Sequence, residues 1–501
     1  MSGPIFSPPG PWANYHSTVV QRSDQIRVRL ARTPSPAPNW AWPDVLARCI
    51  AVQQLLSVPK LQQPLISLGA GWSLSGLLDA RTPSGMGVLL ETGSLAGAMA
   101  WPNLDAGRQQ LVLAGGGSTI RQLCDWLEPR GLMLRSAGSH DGATLAGACA
   151  TGTHGSWLGE GGVASQIVAL LLVTGTGNPV WLTPDKGMKP LQGGIQHIAS
   201  TATFLTARTH LGAMGVVVAA LIRPQKLRYF RVYRDENRLP PNWPAVMATA
   251  NLATWGQTLL NAASPFAYFE LDFDPQQPDQ NVLTGLAPER SKPLIDPDPL
   301  ASPGALDALG WGSLQRGALP PVYHSYVTLL RQSGQIGPGT SSLLPPTTLG
   351  GFVQRHERLV PQLYSGGLAF ERQQLPAMMA ALGKVVRGLP PHFICALRPV
   401  SGQGGALDFC GWSESLVLNI DGYGALVDPT DASATLMDRL CAQMVADGIP
   451  HRLHWGKQGP FSLARLAADY GAAIPAWQAI RSQLKVDPRF NLPWLASLGL
   501  V

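Results

Sequence analysis

Eight glycines lie within the 27 residues from Ser136 to Gly162, and small hydroxyl residues stand between them. A segment this rich in glycine forms loops and tight turns, because glycine loses more conformational freedom than any other residue when it is fixed in a helix or strand. Without a Cβ, its backbone can also approach a bound molecule closely, and successive N–H groups in such loops bind anions. The segment therefore predicts a binding site for a large flat or anionic ligand.

A second glycine-rich stretch, LGAGWSLSG, has part of the spacing of a dinucleotide-binding loop. Gly69 and Gly71 match the first two glycines of G-x-G-x-x-G, but Leu74 occupies the third place. The following sequence is turn-like and does not predict the helix that a Rossmann fold requires at this point. The chain also has no G-x-x-x-x-G-K-[ST] and no G-x-S-x-G, so neither a P-loop nor a serine-hydrolase nucleophile is indicated.

The composition narrows the class of protein. Of 501 residues, 45% are hydrophobic and 14% are charged, with 55 glycines and 44 prolines. Disordered chains have the opposite balance, so we expect a folded, turn-rich protein large enough for two domains and a further small segment. The formal charge of +6, without a long Lys/Arg run, argues against nucleic-acid binding.

The sequence shows no clear targeting signal and no clear metal-binding motif. The first residues lack a signal-peptide pattern, and the apolar run Ile167–Val173 is too short to span a bilayer, so we expect no membrane span and a cytoplasmic location. The six cysteines are scattered without a C-x-x-C, which is typical of reduced, buried thiols. His451 and His454 have H-x-x-H spacing but no further ligand in sequence, so no metal site is predicted.

The chain divides into three parts. Through residues 1–225, strand and helix patterns alternate, with a helix predicted over 43–57 and another that Ser118 can cap. This alternation indicates an α+β or α/β domain. Residues 226–448 show the polar–apolar alternation of antiparallel strands, and residues 449–501 return to a helical pattern.

Two proline-rich connections interrupt the middle part, Pro275–Gly304 and Gly334–Gly351. Both are longer than ordinary loops. Connections of this length are usually lids, binding loops or disordered segments.

Four segments in order carry a resemblance to a known family, namely LGAGWS, ATGTHGS, LGAMGVVVAAL and HWGK. Together they resemble the FAD-binding fold (PCMH type) of the vanillyl-alcohol-oxidase superfamily, and within it the aldonolactone and alditol oxidases. The later VDPRFNLPWLASL is similar to the C-terminal signature of that branch. The resemblance covers residues 40–225 and 450–501, and the middle only in part.

The resemblance implies an α+β architecture of two domains. Residues 1–225 would form an FAD-binding domain of two α+β subdomains, and residues 226–448 a cap whose antiparallel sheet is flanked by helices. Residues 449–501 would return to the FAD-binding domain.

The resemblance also implies FAD as the cofactor. Its pyrophosphate would lie on the loop at Gly69–Gly76 and on Thr151–Ser156, and the turn at Gly212–Val217 would approach the flavin or the adenine. Tight turns alone would also account for these glycines. The residues expected at the cofactor are Gly69, Ala70, Gly71, Trp72, Ser73, Gly138, Ser139, His140, Gly147, Thr151, Gly152, His154, Gly155, Ser156, Gly215, Val216, Val217, His454 and Lys457.

Trp72 stands where alditol oxidase-like members carry a histidine bonded covalently to the flavin. Tryptophan has no nucleophilic ring nitrogen for such a bond, so we expect FAD to be held non-covalently. The indole would pack against the dimethylbenzene edge of the flavin, or would be an ordinary core side chain.

The catalytic residues of the family carry over in part. The Glu-x-Arg pair of the family aligns with FICALRPVSG, where Arg398 is retained but Ala396 replaces the glutamate. Asn419 replaces a family histidine, while Ser139 and Lys457 match family residues near the flavin. A lysine cation there would favour the anionic reduced cofactor.

The proton acceptor is not determined by the sequence. Glu270, His140 and Asp421 are possible bases for the substrate hydroxyl, and bulk water is another. The sequence does not rank them.

These observations predict an FAD-dependent oxidoreductase that removes a hydride from a CH–OH or similar carbon. The loss of two polar partners favours a small molecule that is bulkier or less polar than a sugar alcohol. Gly138, which leaves space above the flavin, slightly favours oxygen over another electron acceptor. The alternative is a flavin-binding protein without redox turnover that serves as a scaffold or ligand carrier. The oligomeric state is not predicted.

Overall fold

The computed structural model describes residues 5–7, 10–13, 20–30, 39–58, 61, 64–82, 85–105, 107–290, 319–337, 346–353 and 363–501. Three large sheets organise these residues, two in the first 225 positions and one in the middle of the chain.

The first sheet has the order β1-β3-β7-β4, with β2 paired to β3, and β7 runs parallel to both of its neighbours. A separate two-stranded sheet follows β4. The strands are β1 (Ile5–Phe6), β2 (Gly10–Ala13), β3 (Val20–Arg29), β4 (Leu65–Leu68), β5 (Arg81–Thr82), β6 (Gly85–Met86) and β7 (Val88–Glu91).

The second sheet has the order β13-β12-β11-β14-β9-β8. All seven residues of β11 and of β14 are buried, which is why these strands are continuous apolar runs. The strands are β8 (Ala98–Leu104), β9 (Gln110–Gly115), β11 (Ile167–Val173), β12 (Val180–Thr183), β13 (Gln196–Ala199) and β14 (Val216–Ile222), and a small pair joins β10 (Leu132–Met133) to β15 (Gln225–Lys226).

The third sheet is antiparallel throughout, with the order β16-β18-β17-β20-β21-β19-β22. We call it the cap sheet. Its strands are β16 (Tyr229–Glu236), β17 (Tyr268–Asp274), β18 (Gln277–Glu289), β19 (Leu363–Glu371), β20 (Phe393–Val400), β21 (Ser415–Tyr423) and β22 (His451–Leu453).

The helices surround the three sheets. They are α1 (Trp42–Leu56), α2 (Ile120–Leu127), α3 (Leu145–Thr151), α4 (Thr201–Arg208), α5 (Trp243–Thr249), α6 (Leu252–Leu259), α7 (Val322–Gln332), α8 (Leu349–Phe352), α9 (Leu375–Val385), α10 (Ala432–Ala446), α11 (Leu463–Tyr470), α12 (Ala473–Gln483) and α13 (Pro493–Ser497). No helix in the described residues is long and apolar enough to cross a membrane.

The last part of the chain packs on the first. Trp477 on α12 is fully buried in the same apolar cluster as Leu170 of β11 and Leu145 of α3. The amide of Asp487 donates to the carbonyl of Thr174 at 2.8 Å. Residues 463–501 thus share a hydrophobic core with the first two sheets.

Two sequence expectations are wrong in detail. The predicted loop Pro275–Gly304 contains the 13-residue strand β18, because the apolar half of that strand is buried between its neighbours β16 and β17 and this packing overrides its prolines. The rest of that loop, from residue 291, lies outside the described residues, as do residues 338–345 of the second connection.

The second correction concerns the N-cap of α2. Thr119 caps this helix: its Oγ1 accepts from the amide of Gln122 at 3.1 Å, and the Gln122 side chain accepts from the Thr119 amide at 2.9 Å. Ser118 instead bonds both backbone groups of Gly97 and so ties the segment before the helix to the residue that precedes β8.

We expect Thr119→Ala to lower the free energy of unfolding by about 1 kcal/mol, because an amide of the first helical turn loses its acceptor. Chemical denaturation followed by circular dichroism measures the change. Thr119→Ser keeps the acceptor and is the control. Equal stability of the Ala and Ser variants would contradict the assignment of this cap.

Candidate functional site

One cavity lies between the glycine-rich loops and the cap sheet. Its lower wall is formed by Gly69–Leu74, Gly138–His140 and Gly215–Val217, and its upper wall by side chains of β16, β17, β20 and β21. His454, Gly456 and Lys457 from the C-terminal part complete it. Three distant segments of the chain therefore meet at a single site.

At two positions of the lower wall, the backbone conformation explains why the residue is glycine. Gly71 has a φ of 75° and Gly215 a φ of 95°, a region that residues with a side chain rarely adopt. A Cβ at Gly215 would also lie 2.5 Å from the carbonyl oxygen of Val173. The loops can take these paths only because no side chain is present.

An aromatic pair lies in the lower wall. The rings of Trp72 and His140 stack, with 5.5 Å between their centroids and 26° between their planes. A Cβ on Gly142 would come within 2.5 Å of the indole, so that glycine makes room for Trp72. The indole is partly exposed toward the cavity and presents a flat apolar surface there.

The lower wall has polar atoms that the protein itself does not satisfy. The buried hydroxyl oxygen of Ser139 has no hydrogen-bond partner within the described part of the chain. Among the same residues, none accepts from the amide of the buried Gly71 or from that of the exposed Ala70. Because buried polar groups in folded proteins are nearly always paired, the Ser139 hydroxyl and the Gly71 amide indicate a polar ligand, and the arrangement fits the pyrophosphate and ring of FAD.

The upper wall is one face of the cap sheet. In antiparallel pairing, residues directly opposite each other project from the same face. Asp272 on β17 lies opposite Ala396 on β20, which lies opposite Asn419 on β21. Because the side chain of Ala396 ends at its Cβ, the longer side chains on this face of the cap sheet come from the neighbouring strands at this position.

An ion pair dominates this face. Nε of Arg398 donates to Oε1 of Glu270 at 3.0 Å, and Nη2 donates to the same oxygen at 2.5 Å. The hydroxyl of Tyr268 donates to the other oxygen of Glu270. Burial alone would lower the pKa of Arg398, but the charges of Glu270, Tyr268 and Asp272, with the hydrogen bond to Glu270, together outweigh burial and raise it.

A carboxyl with different surroundings lies beside this pair. The hydroxyl of Tyr326 on α7 donates to Oδ2 of Asp272 at 2.9 Å. Burial, followed by the nearby charge of Glu270, raises the pKa of Asp272 to about 7, although Arg398 acts in the opposite direction. Burial raises the pKa of Tyr326 well above its usual value, so the phenol remains a donor.

Lys457 reaches the cavity from the C-terminal part. Its Nζ donates to Oδ1 of Asn419 at 3.0 Å and lies 3.7 Å from Oδ1 of Asp421, which also accepts from the hydroxyl of Ser365 at 2.5 Å. Burial lowers the pKa of Lys457, and the charge of Asp421 partly offsets this effect.

Two buried histidines stand near the positive groups. Burial, with a further contribution from Arg398, lowers the pKa of His154 to about 3, and burial lowers the pKa of His454 well below its usual range. Both rings are therefore neutral at physiological pH and do not add positive charge to the site. Within the described residues, no group of three metal-ligating side chains is present.

The structure brings most of the predicted site residues to the cavity. Those that line it are Gly69, Ala70, Gly71, Trp72, Ser73, Gly138, Ser139, His140, Gly147, Thr151, His154, Gly215, Val216, Val217, Arg398, His454 and Lys457.

Three predicted cofactor contacts lie behind the cavity wall. Gly152 ends α3 with a φ of 76°, and Gly155 packs where a Cβ would lie 2.2 Å from the carbonyl oxygen of Ala137. The hydroxyl of Ser156 donates to the carbonyl of Phe269 on β17. These residues shape the wall from behind.

Packing also bears on Gly138. A Cβ at this position would lie 2.8 Å from Cγ2 of Thr153, so a side chain here would require Thr153 to shift. The expectation that this glycine favours oxygen as the electron acceptor stays a prediction.

Asp272 and Tyr326 are among the residues of the upper wall that sequence analysis missed. Asp272 belongs to the alternation of YFELDFD and shares the face of Glu270, two residues before it, so the strand period could have found it. Tyr326 comes from a helix more than 50 positions later, and its contact with Asp272 has no signal in the sequence.

Comparison with known proteins agrees with this site. Residues 51–183 match the FAD binding domain family. The D-arabinono-1,4-lactone oxidase of Yarrowia lipolytica is 25% identical over 188 residues, 37% of this chain and 32% of that protein. The alditol oxidase of a Streptomyces species is 32% identical over 150 residues, 30% of this chain and 31% of that protein.

The fold is shared over the whole chain. The solved structure of a solvent-stable cholesterol oxidase covers 98% of both chains with a TM-score of 0.69, at 15% identity. The structural likeness confirms the predicted α+β fold, and the match to the FAD binding domain family confirms FAD as the cofactor. The sequence matches span about a third of the length of the two curated relatives.

The ion pair of the upper wall allows a stability test. Glu270→Ala removes the partner of a buried guanidinium, and we expect a loss of about 3–5 kcal/mol in the free energy of unfolding. Glu236→Ala is the control, because its partner Arg331 is 56% exposed and such pairs contribute about 0–1 kcal/mol. Denaturant unfolding measures both. Similar losses in the two variants would show that Arg398 does not depend on Glu270.

Proposed function

We propose that this chain, which carries the FAD-binding domain, is an FAD-dependent oxidoreductase that removes a hydride from the CH–OH carbon of a bulky, weakly polar molecule and holds FAD without a covalent bond. The observation that carries the proposal is the cavity itself. It joins the loops that fit FAD to a face of paired charged groups, so the cofactor and a substrate hydroxyl would meet at one place.

Several residues of the cavity have a role in this proposal. Ala70, Gly71 and Ser139 would bind the cofactor through their unsatisfied polar atoms, and Lys457 would place a cation beside it. When bound, FAD supplies the acceptor for the hydride. Arg398, fixed by Glu270, would bind and orient the substrate oxygen.

The Arg398–Glu270 pair also bears on the alternative of a redox-inactive flavin protein. That reading rested on Ala396, which removes the expected carboxylate next to the arginine. Glu270 provides a carboxylate from the neighbouring strand and holds both arginine nitrogens. The face therefore has both an arginine and a carboxylate, in an arrangement different from the expected Glu-x-Arg pair. Their presence favours an enzyme.

The other residues that line the cavity support the proposed class of substrate. Near the charged groups the cavity is bordered by apolar side chains, among them Leu363, Ile394 and Phe352. Asn419 is fully buried and bonded to Lys457, so its amide oxygen does not serve a second polar group of a polyol. These features favour one hydroxyl on a bulky apolar body over a sugar alcohol.

Molecular oxygen is our proposed electron acceptor. The support is the pair of curated relatives, both named as oxidases. We further propose a cytoplasmic location, consistent with six cysteines that are all buried and unpaired.

The first experiment is a visible spectrum of the purified protein before and after acid precipitation. We expect a flavin spectrum and release of the yellow cofactor into the supernatant, because Trp72 offers no nitrogen for a covalent bond. Flavin that stays with the pellet would contradict non-covalent binding. A protein that cannot be reconstituted with FAD would contradict the proposed function.

The second experiment is anaerobic reduction of the flavin by four alcohols. We expect 1-phenylethanol and cholesterol to bleach the flavin faster than xylitol and D-arabinono-1,4-lactone, because apolar side chains border the charged groups of the cavity. Reoxidation on admitting air then tests oxygen as the acceptor. Faster bleaching by the two polar compounds would overturn the substrate class, and no bleaching by any of the four would favour the redox-inactive reading.

Trp72 allows a quantitative test of cofactor binding. We expect Trp72→Ala to raise the Kd for FAD about 2- to 12-fold, which corresponds to roughly 0.5–1.5 kcal/mol of lost aromatic contact. Titration of the apoprotein with FAD, followed by flavin fluorescence, measures this. Trp72→Phe keeps a flat ring and should retain most of the affinity. Unchanged binding in Trp72→Ala would show that the indole is only a core side chain.

A further inference from the structure

The carboxyls of the cavity differ in how fully they are engaged. Glu270 has both oxygens occupied, one by Arg398 and the other by Tyr268. Both oxygens of Glu270 therefore already have donors within the protein, and this carboxylate serves to fix Arg398.

Asp421 and His140 are also engaged within the protein. Oδ1 of Asp421 accepts from the hydroxyl of Ser365 and faces the Lys457 ammonium at 3.7 Å. His140 belongs to the lower wall, where its ring stacks on Trp72.

Asp272 is the carboxyl that remains available. It lines the cavity, is 6% exposed and has one hydrogen-bond donor, the hydroxyl of Tyr326 on Oδ2. Among the described residues, no group donates to Oδ1. The residue opposite it, Ala396, has no side chain that could cover this oxygen. We infer that Asp272 is the catalytic base that accepts the hydroxyl proton of the substrate, and that Tyr326 is a positioning residue that holds its carboxyl.

The step is a proton transfer, and it rests on the proposed function for its oxidant, the flavin. The O–H bond of the substrate alcohol breaks and a new O–H bond forms on Oδ1 of Asp272. The electron pair left on the substrate oxygen forms the carbonyl bond as the hydride leaves the carbon. Arg398 would remain positively charged beside the developing oxygen charge.

The charged and titratable groups around Asp272 come from four elements. They are Glu270 and Tyr268 on its own strand, Arg398 on β20, Arg234 on β16, and Tyr323 and Tyr326 on α7. Burial and Glu270 raise the pKa of Asp272, whereas Arg398, Tyr326 and Arg234 lower it. The net effect keeps the pKa of this carboxyl near neutral pH, so it can both accept and release a proton.

The kinetic test is the rate of anaerobic flavin reduction by 1-phenylethanol from pH 5 to 9, in the flavin-loaded protein. The rate should rise with pH through about 7 as Asp272 loses its proton. Asp272→Asn should slow reduction by about 10²–10⁴-fold and remove this rise. Asp274→Asn is the control: it is the same change on the same strand, at a carboxyl that binds the amide of Gln276 and does not line the cavity.

Tyr326→Phe separates a positioning role from a merely structural one. Its hydrogen bond lowers the pKa of Asp272, so removal should shift the rise in rate to higher pH while the rate at the alkaline plateau falls much less than in Asp272→Asn. A slower rate with an unmoved pH profile would overturn the role of Tyr326. A wild-type rate and profile in Asp272→Asn would overturn the role of Asp272.

A substrate-free readout distinguishes this inference from the proposed function. The pKa of Asp272 is raised from 3.8 when the protein folds, so the folded state holds an extra proton and stability falls as pH rises through this window to about 7. The Tm of the flavin-loaded Asp272→Asn variant should therefore decline less than that of the wild type between pH 5 and 8. Parallel Tm profiles would overturn the inference even if turnover is observed. If 1-phenylethanol and the other three probes all fail to reduce the flavin, the proposed function fails whatever the Tm profile, and the base assignment fails with it.

Discussion

A guanidinium buried in a cavity wall must be neutralised, and the upper wall of this site is arranged around that requirement. Arg398 receives the carboxylate of Glu270 from the next strand, and Tyr268 occupies the second oxygen of that carboxylate. Burial and then the charge of Glu270 raise the pKa of Asp272, two residues along the strand, while Arg398 itself lowers it. The partner of the buried cation thus contributes to the raised pKa of the neighbouring carboxyl.

The lower wall follows a different physical rule, the exclusion of side chains. At Gly71 and Gly215 the backbone takes conformations that favour glycine, and at Gly142 the missing Cβ leaves room for an indole. The result is a surface of peptide groups and one flat ring pair facing the charged wall. The glycine loops and the charged face therefore come from separate parts of the chain that share one cavity.

Much of this could be predicted from residues that are neighbours in sequence. The helix expected over 43–57 is α1 at Trp42–Leu56, and the glycine loops lie where the two glycine-rich segments placed them. The predictions that were wrong or missing depend on pairing between distant strands. The prolines predict a loop where the structure has the strand β18. The carboxylate next to Arg398 is expected at position 396 of the same strand, whereas the sheet supplies it from β17. A period-two pattern shows which residues share a face but not which strand lies beside them.

The C-terminal part has a consequence for how the protein is made. The carbonyl of Gly456 accepts from the amide of Leu74, and the His454 amide binds Gly367 in the cap sheet, so residues 454–457 join the two walls. During synthesis these residues leave the ribosome after both walls have been translated. A nascent chain that ends before His454 would therefore have both walls but would lack the two backbone hydrogen bonds that join them through this segment.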